Sequence, residues 1–378
     1  MRRSLLSIVS FLILLPLACS SRPSRVVIGV ALSPANHPAV ELAAREINAT
    51  GGIGGIPLEL MGLDWKIGAV FNAKEILEWA NRFSDTDDLV AVIGHSDSSS
   101  TLSAAAIYNA RGVPQISTIA TNPAITNIGD WTYRLCISDA AQGPALADYS
   151  VRDWGKKNIA VFYVNDAYGS GLAELFEARV RELGGRITAS VLHRNFLQPD
   201  DQEMISSSLA GLKAEAKTEL IVLFQRVDAA LWTIGAIREN GLKTDILGGD
   251  SLSPVSLLQS DPKLLNGMRV SQFFMPHLDD ARASRFVKDF REFAGTDPDY
   301  GNAFAYDAVY LVRQALLNGG FSRDGVKSHL ERLIREGQAV DGIGGAYTLG
   351  ADHDARRSLH IVEAHDGKQR LLKTLPVP

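Results

Sequence analysis

Short apolar runs, each stopping at a polar turn that opens a helix-period segment, recur along this chain and leave few folds open to it. Leu89-Val90-Ala91-Val92-Ile93 ends in Gly94-His95-Ser96-Asp97-Ser98-Ser99-Ser100-Thr101, and Val113-Pro114-Gln115-Ile116-Ser117-Thr118 runs on to Ala120-Thr121-Asn122-Pro123. Five or six apolar, β-branched residues without alternation describe a strand buried on both faces, as in a parallel sheet. The hydroxyl-rich turn that follows starts a crossover helix. Open α/β sheets hold ligands at that end of the strand. Hydroxyls, first-turn N–H groups and the positive end of the helix dipole together make a receptor for a carboxylate or similar anion. Two such turns close together in sequence predict one site.

The same rhythm covers most of the chain. Val26-Val27-Ile28-Gly29-Val30 precedes a helix predicted over 38–48, and Leu58-Glu59-Leu60-Met61 precedes one over 73–83; a third, 98–110, lies between the two strands above. A second series starts at Asn158-Ile159-Ala160-Val161-Phe162-Tyr163-Val164. The turn Asp166-Ala167-Tyr168-Gly169 then leads into a helix to about Leu183. Strands at 187–192 and 220–224, helices at 202–214 and 228–239, and Ile246-Leu247 before Gly248-Gly249-Asp250 complete it. After 268–273, helices at 283–293, 303–317 and 323–335 carry too few strands for a third α/β unit. They return to the first lobe, and Leu359-His360-Ile361-Val362 adds a strand to the second. Gly51-Gly52-Ile53-Gly54-Gly55 lacks the Lys and Ser/Thr of a phosphate loop and follows a helix, so it is a helix stop and turn.

With 378 residues, 46% of them hydrophobic and 21% charged, the chain can fill two cores. Its beginning differs in kind. Arg2 and Arg3 precede an apolar stretch, Leu5 to Leu17, too short to span a bilayer comfortably, and then Ala18-Cys19-Ser20-Ser21. This reads as an export signal over residues 1–18 with a lipobox-like site, Cys19 being acylated and residues 19–25 forming a tether; an ordinary cleavage site is the alternative. Removing 1–18 takes two arginines and moves the net charge from -5 to -7. An acidic chain without basic runs excludes nucleic acid as a partner. Cys136 is then left without an intrachain disulfide partner, and membrane contact is expected only through the lipid.

Ala43-Ala44-Arg45-Glu46-Ile47-Asn48-Ala49-Thr50-Gly51-Gly52-Ile53, Val92-Ile93-Gly94-His95 with its Ser-rich turn, Ser117 to Pro123, Gln142-Gly143-Pro144 and Tyr168-Gly169 resemble, in order and spacing, one family. They look like the type I periplasmic binding proteins of the leucine/isoleucine/valine branch, over nearly all of the mature chain. The resemblance implies two doubly wound parallel-sheet lobes joined by a three-strand hinge, here 26–139 plus 274–346 and 140–273 plus 347–378. It also implies a ligand in the cleft, an ABC-type permease as partner, action as a monomer, and no chemistry. Position by position, Ser98 and Thr121 match hydroxyl and N–H ligands of an α-carboxylate, Ile119 a carbonyl ligand of an α-ammonium, and Asp250 that ammonium's acidic partner. Tyr168 matches a cleft aromatic and Asp139 a residue near the lobe crossover. The departures are Asp97, where relatives often carry a disulfide cysteine, a short loop at Ser33-Pro34-Ala35-Asn36-His37, and Arg226 in place of an aromatic. Facing the ligand, Arg226 would favour a distal acceptor or second carboxylate; otherwise it turns outward or pairs with Asp228 or Asp250.

Plainer readings stand beside these. Ser98 to Thr101 and Asp250 could be helix caps. His37 and His95 belong to no metal-spaced cluster, no cofactor is implied, and neither a Gly-x-Ser-x-Gly elbow nor a dinucleotide fingerprint occurs. The five tryptophans are scattered, so most of them are expected to be packing residues. The sequence therefore points to an exported, membrane-anchored receptor for an amino acid or related small carboxylate on the periplasmic side. A clamshell that signals to a receptor or regulator is the alternative.

Overall fold

The computed structural model describes residues 23–64, 72–215, 217–254, 257, 260–275 and 280–375. The signal segment, Cys19 and Trp65 lie outside the described residues. One sheet has the order β2-β1-β3-β4-β5, built from β1 (Val26–Ala31), β2 (Leu58–Met61), β3 (Leu89–Gly94), β4 (Gln115–Ser117) and β5 (Thr132–Arg134), all parallel. Its crossovers are α1 (His37–Ala49), α2 (Ala73–Ser84) and α3 (Ser98–Arg111).

The second sheet is entered through α4 (Asp139–Asp148). It continues with β6 (Asn158–Val164), α5 (Ala167–Glu182), β7 (Arg186–His193), α6 (Pro199–Glu215), β8 (Leu220–Phe224), α7 (Val227–Glu239), β9 (Asp245–Gly248), the short α8 (Pro262–Leu265) and β10 (Arg269–Gln272). Then α9 (Ala281–Ala294), α10 (Tyr300–Gly319) and α11 (Arg323–Glu336) pack back on the first sheet's side, α9 and α10 against α1. A small antiparallel sheet of β11 (Val340–Gly342), β12 (Gly345–Leu349) and β13 (Ala355–Arg356) follows. Finally β14 (Leu359–His365) and β15 (Lys368–Leu375) close the second sheet, whose order is β15-β14-β10-β9-β8-β6-β7. The chain thus passes between the sheets three times: after β5, after β10 and between β13 and β14.

Periodicity explains the layering. Every residue of β1, β3 and β8 is buried, so both faces of each strand need helices. Val26, Ile28 and Val30 enter the core made with Ala39, Val40, Val309 and Val312 of α1 and α10, whereas Val27 and Ala31 meet Ile76, Ala80, Ala104 and Tyr108 of α2 and α3. The second sheet divides likewise, Ile159 and Val161 toward Leu172 and Phe176, Ala160 and Phe162 toward Ile205, Leu209 and Ile234. Each of the Val, Ile, Leu and Phe side chains contributes about 1.5–3 kcal/mol on burial, and a one-residue register slip would exchange the two faces and mismatch both cores.

Several elements differ from expectation. The C-terminal strand is a hairpin, turned through Asp366 and Gly367 at φ 49° and 73° and antiparallel to β10, so the second sheet is parallel only in its five central and distal strands. The fold nonetheless consists of two α/β lobes built on parallel sheets. Helix α4 has Gly143 and Pro144 in its interior, residues that argue against a helix. It survives because Gly143 lets it lie close on α5, where an added Cβ would come within 2.9 Å of the Leu175 Cβ. Among the described residues no helix is long and apolar enough to cross a membrane.

Candidate ligand-binding cleft

The carboxyl ends of both parallel sheets open into one cleft of about 880 Å³. Its walls include Ser96 to Ser100 and Ile119 from the first lobe, Asp166, Tyr168, Arg226, Asp250 and Ser251 from the second, and Tyr300 at the start of α10. Helix α3 begins where the polar turn after β3 predicts. The cap is Asp97 rather than the serines: its carboxylate accepts from the Ser100 N–H at 2.9 Å and from the Ser100 hydroxyl at 2.5 Å. Ser98 and Ser99 are thereby released from capping. The Ser98 hydroxyl accepts from Asn122 N at 3.3 Å, and that of Ser99 from Ala167 N, across the cleft, at 3.3 Å. The amides of Ser98 and Ser99, in the first turn of α3, find no acceptor among the described residues. These two amides are unengaged donors at the carboxyl end of β3.

Asp250 lies two residues beyond the end of β9 and opens a 3₁₀ turn, not an α-helix. Its side chain is buried, with Oδ1 accepting from Gln142 Nε2 at 3.0 Å and from the Tyr168 hydroxyl at 3.1 Å, and Oδ2 accepting from the Tyr300 hydroxyl at 2.9 Å. Burial pushes the Asp250 carboxyl above its usual range, while these three donors pull it down. Gly249 makes the approach of Tyr168 feasible, since a Cβ there would stand 2.5 Å from the Tyr168 hydroxyl.

Of the residues singled out from sequence, Ser98, Ile119, Tyr168, Arg226 and Asp250 line the cleft. Thr121 and Asp139 do not; both are fully buried behind its wall, and the Thr121 hydroxyl donates to Asp139 Oδ2 at 2.9 Å. The Thr121 proton is thus engaged within the protein rather than offered to the cleft. Arg226 neither turns away nor pairs with Asp228 or Asp250. Its Nη2 bonds Asp166 Oδ2 at 2.6 Å, its guanidinium lies 5.2 Å from the centre of the Tyr168 ring, and its side chain keeps 32% of its exposure.

Sequence reasoning missed Gln142, Ser271, Asn122, Asp166 and Tyr300 as members of the site. Gln142 belonged to a quoted motif without a role. The signal for Tyr300 is Asp299, which caps α10 in a box with Asn302 and moves the helix start ahead of the predicted Ala303. Asn122 joins the lobes: its Nδ2 donates to Ala167 O at 2.5 Å, and its carbonyl accepts from Arg134, itself buried and bidentate on Asp354. Trp232 and Phe196 also line the cleft, so not every tryptophan is a packing residue. Among the described residues no His/Cys/Asp/Glu group could hold a metal ion.

Two α/β lobes, their strand ends facing across a cleft and their chain crossing three times, define a clamshell solute-binding protein. The chain belongs to the periplasmic binding protein family, whose model matches residues 30–369. It is a family of binding proteins rather than enzymes. The chain is 28% identical over 290 residues to an amino acid binding protein of Pseudomonas aeruginosa, covering 76% of this chain and 74% of that one. It is 29% identical over 286 residues to Leu/Ile/Val-binding protein homolog 1 of Brucella abortus, covering 74% and 72%. Among solved structures, a leucine binding protein from Thermotoga maritima has the same fold at a TM-score of 0.81, with 22% identity over 93% of this chain and 99% of that one. A solute binding protein of R. palustris in complex with benzoate reaches 0.81 at 18% identity, over 94% and 97%.

Proposed function

We propose that this chain is an extracytoplasmic lipoprotein, acylated at Cys19, that binds an amino acid or related small carboxylate between its lobes and delivers it to an ABC-type permease. The observation that carries the reading is buried Asp250, bonded only by neutral donors, in the same cleft as the unengaged Ser98 and Ser99 amides at the start of α3. A zwitterionic head group complements both, its carboxylate at the helix start and its ammonium at Asp250. The names of the Pseudomonas and Brucella relatives support the same class of ligand. Beyond the head group, Phe196, Leu197 and Trp232 offer apolar wall, and the half-exposed Arg226 offers a donor to a distal acceptor.

Titration calorimetry against the twenty standard L-amino acids and benzoate tests this. Asp250→Ala should weaken amino-acid binding roughly 10- to 100-fold, the worth of a charge-assisted hydrogen bond. Undiminished affinity in that variant would exclude Asp250 as the ammonium partner. Acylation is read separately, by mass spectrometry of the amino-terminal peptide, in which an unmodified Cys19 would refute the anchor.

A further inference from the structure

Two buried carboxylates share a single side chain. Gln142 Nε2 donates to Asp139 Oδ1 at 2.9 Å and to Asp250 Oδ1 at 3.0 Å, while its Oε1 accepts from the Ser271 hydroxyl of β10 at 2.7 Å. The two carboxylates fix which way the amide faces, since the NH₂ supplies a donor to each while the Ser271 hydroxyl could serve either end, so both of its protons go to acids. The remaining donors are hydroxyls: Thr121 on Asp139, and Tyr168 of α5 and Tyr300 of α10 on Asp250. All are neutral.

The charged and titratable groups around the pair are committed elsewhere. Arg134 of β5 spends Nε and Nη2 on Asp354 and Nη1 on the Asn122 carbonyl. Arg226, beyond the Tyr168 ring, is held by Asp166. The Cys136 thiol is buried and donates to Ala120 O at 3.4 Å. Among the described residues no cation pairs with Asp139 or Asp250. Two ionised carboxylates this deep, bridged by one amide and lacking a countercharge, repel one another and are poorly solvated; a shared proton relieves both penalties. In agreement, burial and then the neighbouring Asp250 push the Asp139 carboxyl up to about 8, against the pull of Thr121, Gln142 and Arg134.

We propose that the Asp139–Asp250 pair holds one proton in the free protein, and that docking of a ligand's ammonium at Asp250 expels this proton to solvent. The inference rests on the reading of the cleft as an amino-acid site. The ammonium supplies the missing countercharge, so both acids ionise in the complex. Affinity for amine-bearing ligands then falls as the medium acidifies below the pair's apparent pKa, by up to about tenfold per pH unit for one proton exchanged. A carboxylate without an amine gives the pair no countercharge and is not coupled in this way. Asp139, which lies off the cleft wall, acts as a positioning and proton-holding residue rather than a ligand contact.

The experiment is calorimetry of the whole protein at pH 6.5 in phosphate and in Tris, using the tightest binder of the twenty L-amino acids and benzoate as the amine-free probe. Close to one proton released per amino acid, none for benzoate, and affinity rising toward pH 8 for the amino acid alone is the expected result. Amino-acid binding without proton release overturns the proposal and leaves the proposed function intact. Absence of any amino-acid binding overturns the proposed function itself, and this inference with it. Asp139→Asn, nearly isosteric, should abolish both the proton release and the pH slope, and release that persists in it would place the proton elsewhere. If that variant does not fold, the two-buffer measurement on the unmodified chain decides alone.

Discussion

Two buried residues give this protein opposite responses to acid. His95 is fully buried, its Nε2 3.0 Å from the Tyr108 hydroxyl, and burial lowers its pKa to about 3. The unfolded chain therefore binds a proton at His95 below about pH 6.5 that the folded chain refuses, and stability from this residue falls as pH drops from there toward 3. Asp139 has the reverse sign. Its folded pKa near 8 exceeds the unfolded value near 4, so the folded chain holds the extra proton and stability from it falls as pH rises through that window. Between pH 4 and 6.5 the two slopes oppose each other, each about 1.4 kcal/mol per pH unit at most. Urea midpoints across that range should tilt upward toward acid in His95→Gln and downward in Asp139→Asn, relative to the unmodified chain. Parallel curves for the two variants would refute both assignments. Arg134 is a different kind of buried charge. Paired bidentately with Asp354, it is expected to cost about 3–5 kcal/mol in Arg134→Met, because Asp354 is left buried and alone; Asp354→Leu in the same chain should recover part of that in equilibrium unfolding.

At the scale of elements, the ends of helices carry the function. Asp97 caps α3, Asp166 caps α5 and Asp299 caps α10, each accepting from a backbone N–H two or three residues into its helix. The α10 cap does more than satisfy a donor. Asn302, its partner in the box, also donates to Ala35 O at 2.9 Å, tying the helix start to the short loop after β1. Tyr300 stands on the first turn so fixed. Asp299→Ala should cost about 1 kcal/mol in chemical denaturation and should weaken amino-acid affinity as well, since Tyr300 loses its placement against Asp250. Much of this level was legible in the sequence. Apolar runs gave β1 to β4 and β6 to β10 within a residue or two and the first half of β14, but not β5, β11 to β13 or β15, and Ser98 was expected at the start of α3. The start of α10 was not, because Asn in the third helical position is a weaker box signal than Glu or Gln. Helix α4 escaped because Gly143 and Pro144 mask it, and their tolerance depends on the facing α5.

For the whole molecule, the question is what holds the lobes together. Among the described residues three hydrogen bonds cross the cleft: Asn122 Nδ2 to Ala167 O, Ala167 N to Ser99 Oγ, and Tyr300 to Asp250. Gly171 leaves room for the first, as a Cβ there would meet Asn122 Nδ2 at 2.7 Å. A bulkier side chain wedges α5 from the Asn122 loop without disturbing either core. Gly171→Leu should therefore keep its melting temperature while binding ligand more weakly, and solution scattering should report a larger radius of gyration. An unchanged radius and affinity would mean that the contact does not govern closure.

The sequence by itself determined the two parallel sheets, their crossover helices and the hydroxyl-rich turns at the strand ends. These follow from local periodicity, and the burial of β1, β3 and β8 on both faces is written in their own residues. It also singled out Asp250, though only by resemblance. What the tertiary structure alone decided is which groups those turns meet: Asp166 for Arg226, Asp139 for Thr121, and Gln142 and Tyr300 for Asp250. Those partners lie from 18 to 108 residues away along the chain. Hydrogen-bond commitment depends on distances of a few tenths of an ångström between separate elements, and no local pattern encodes it.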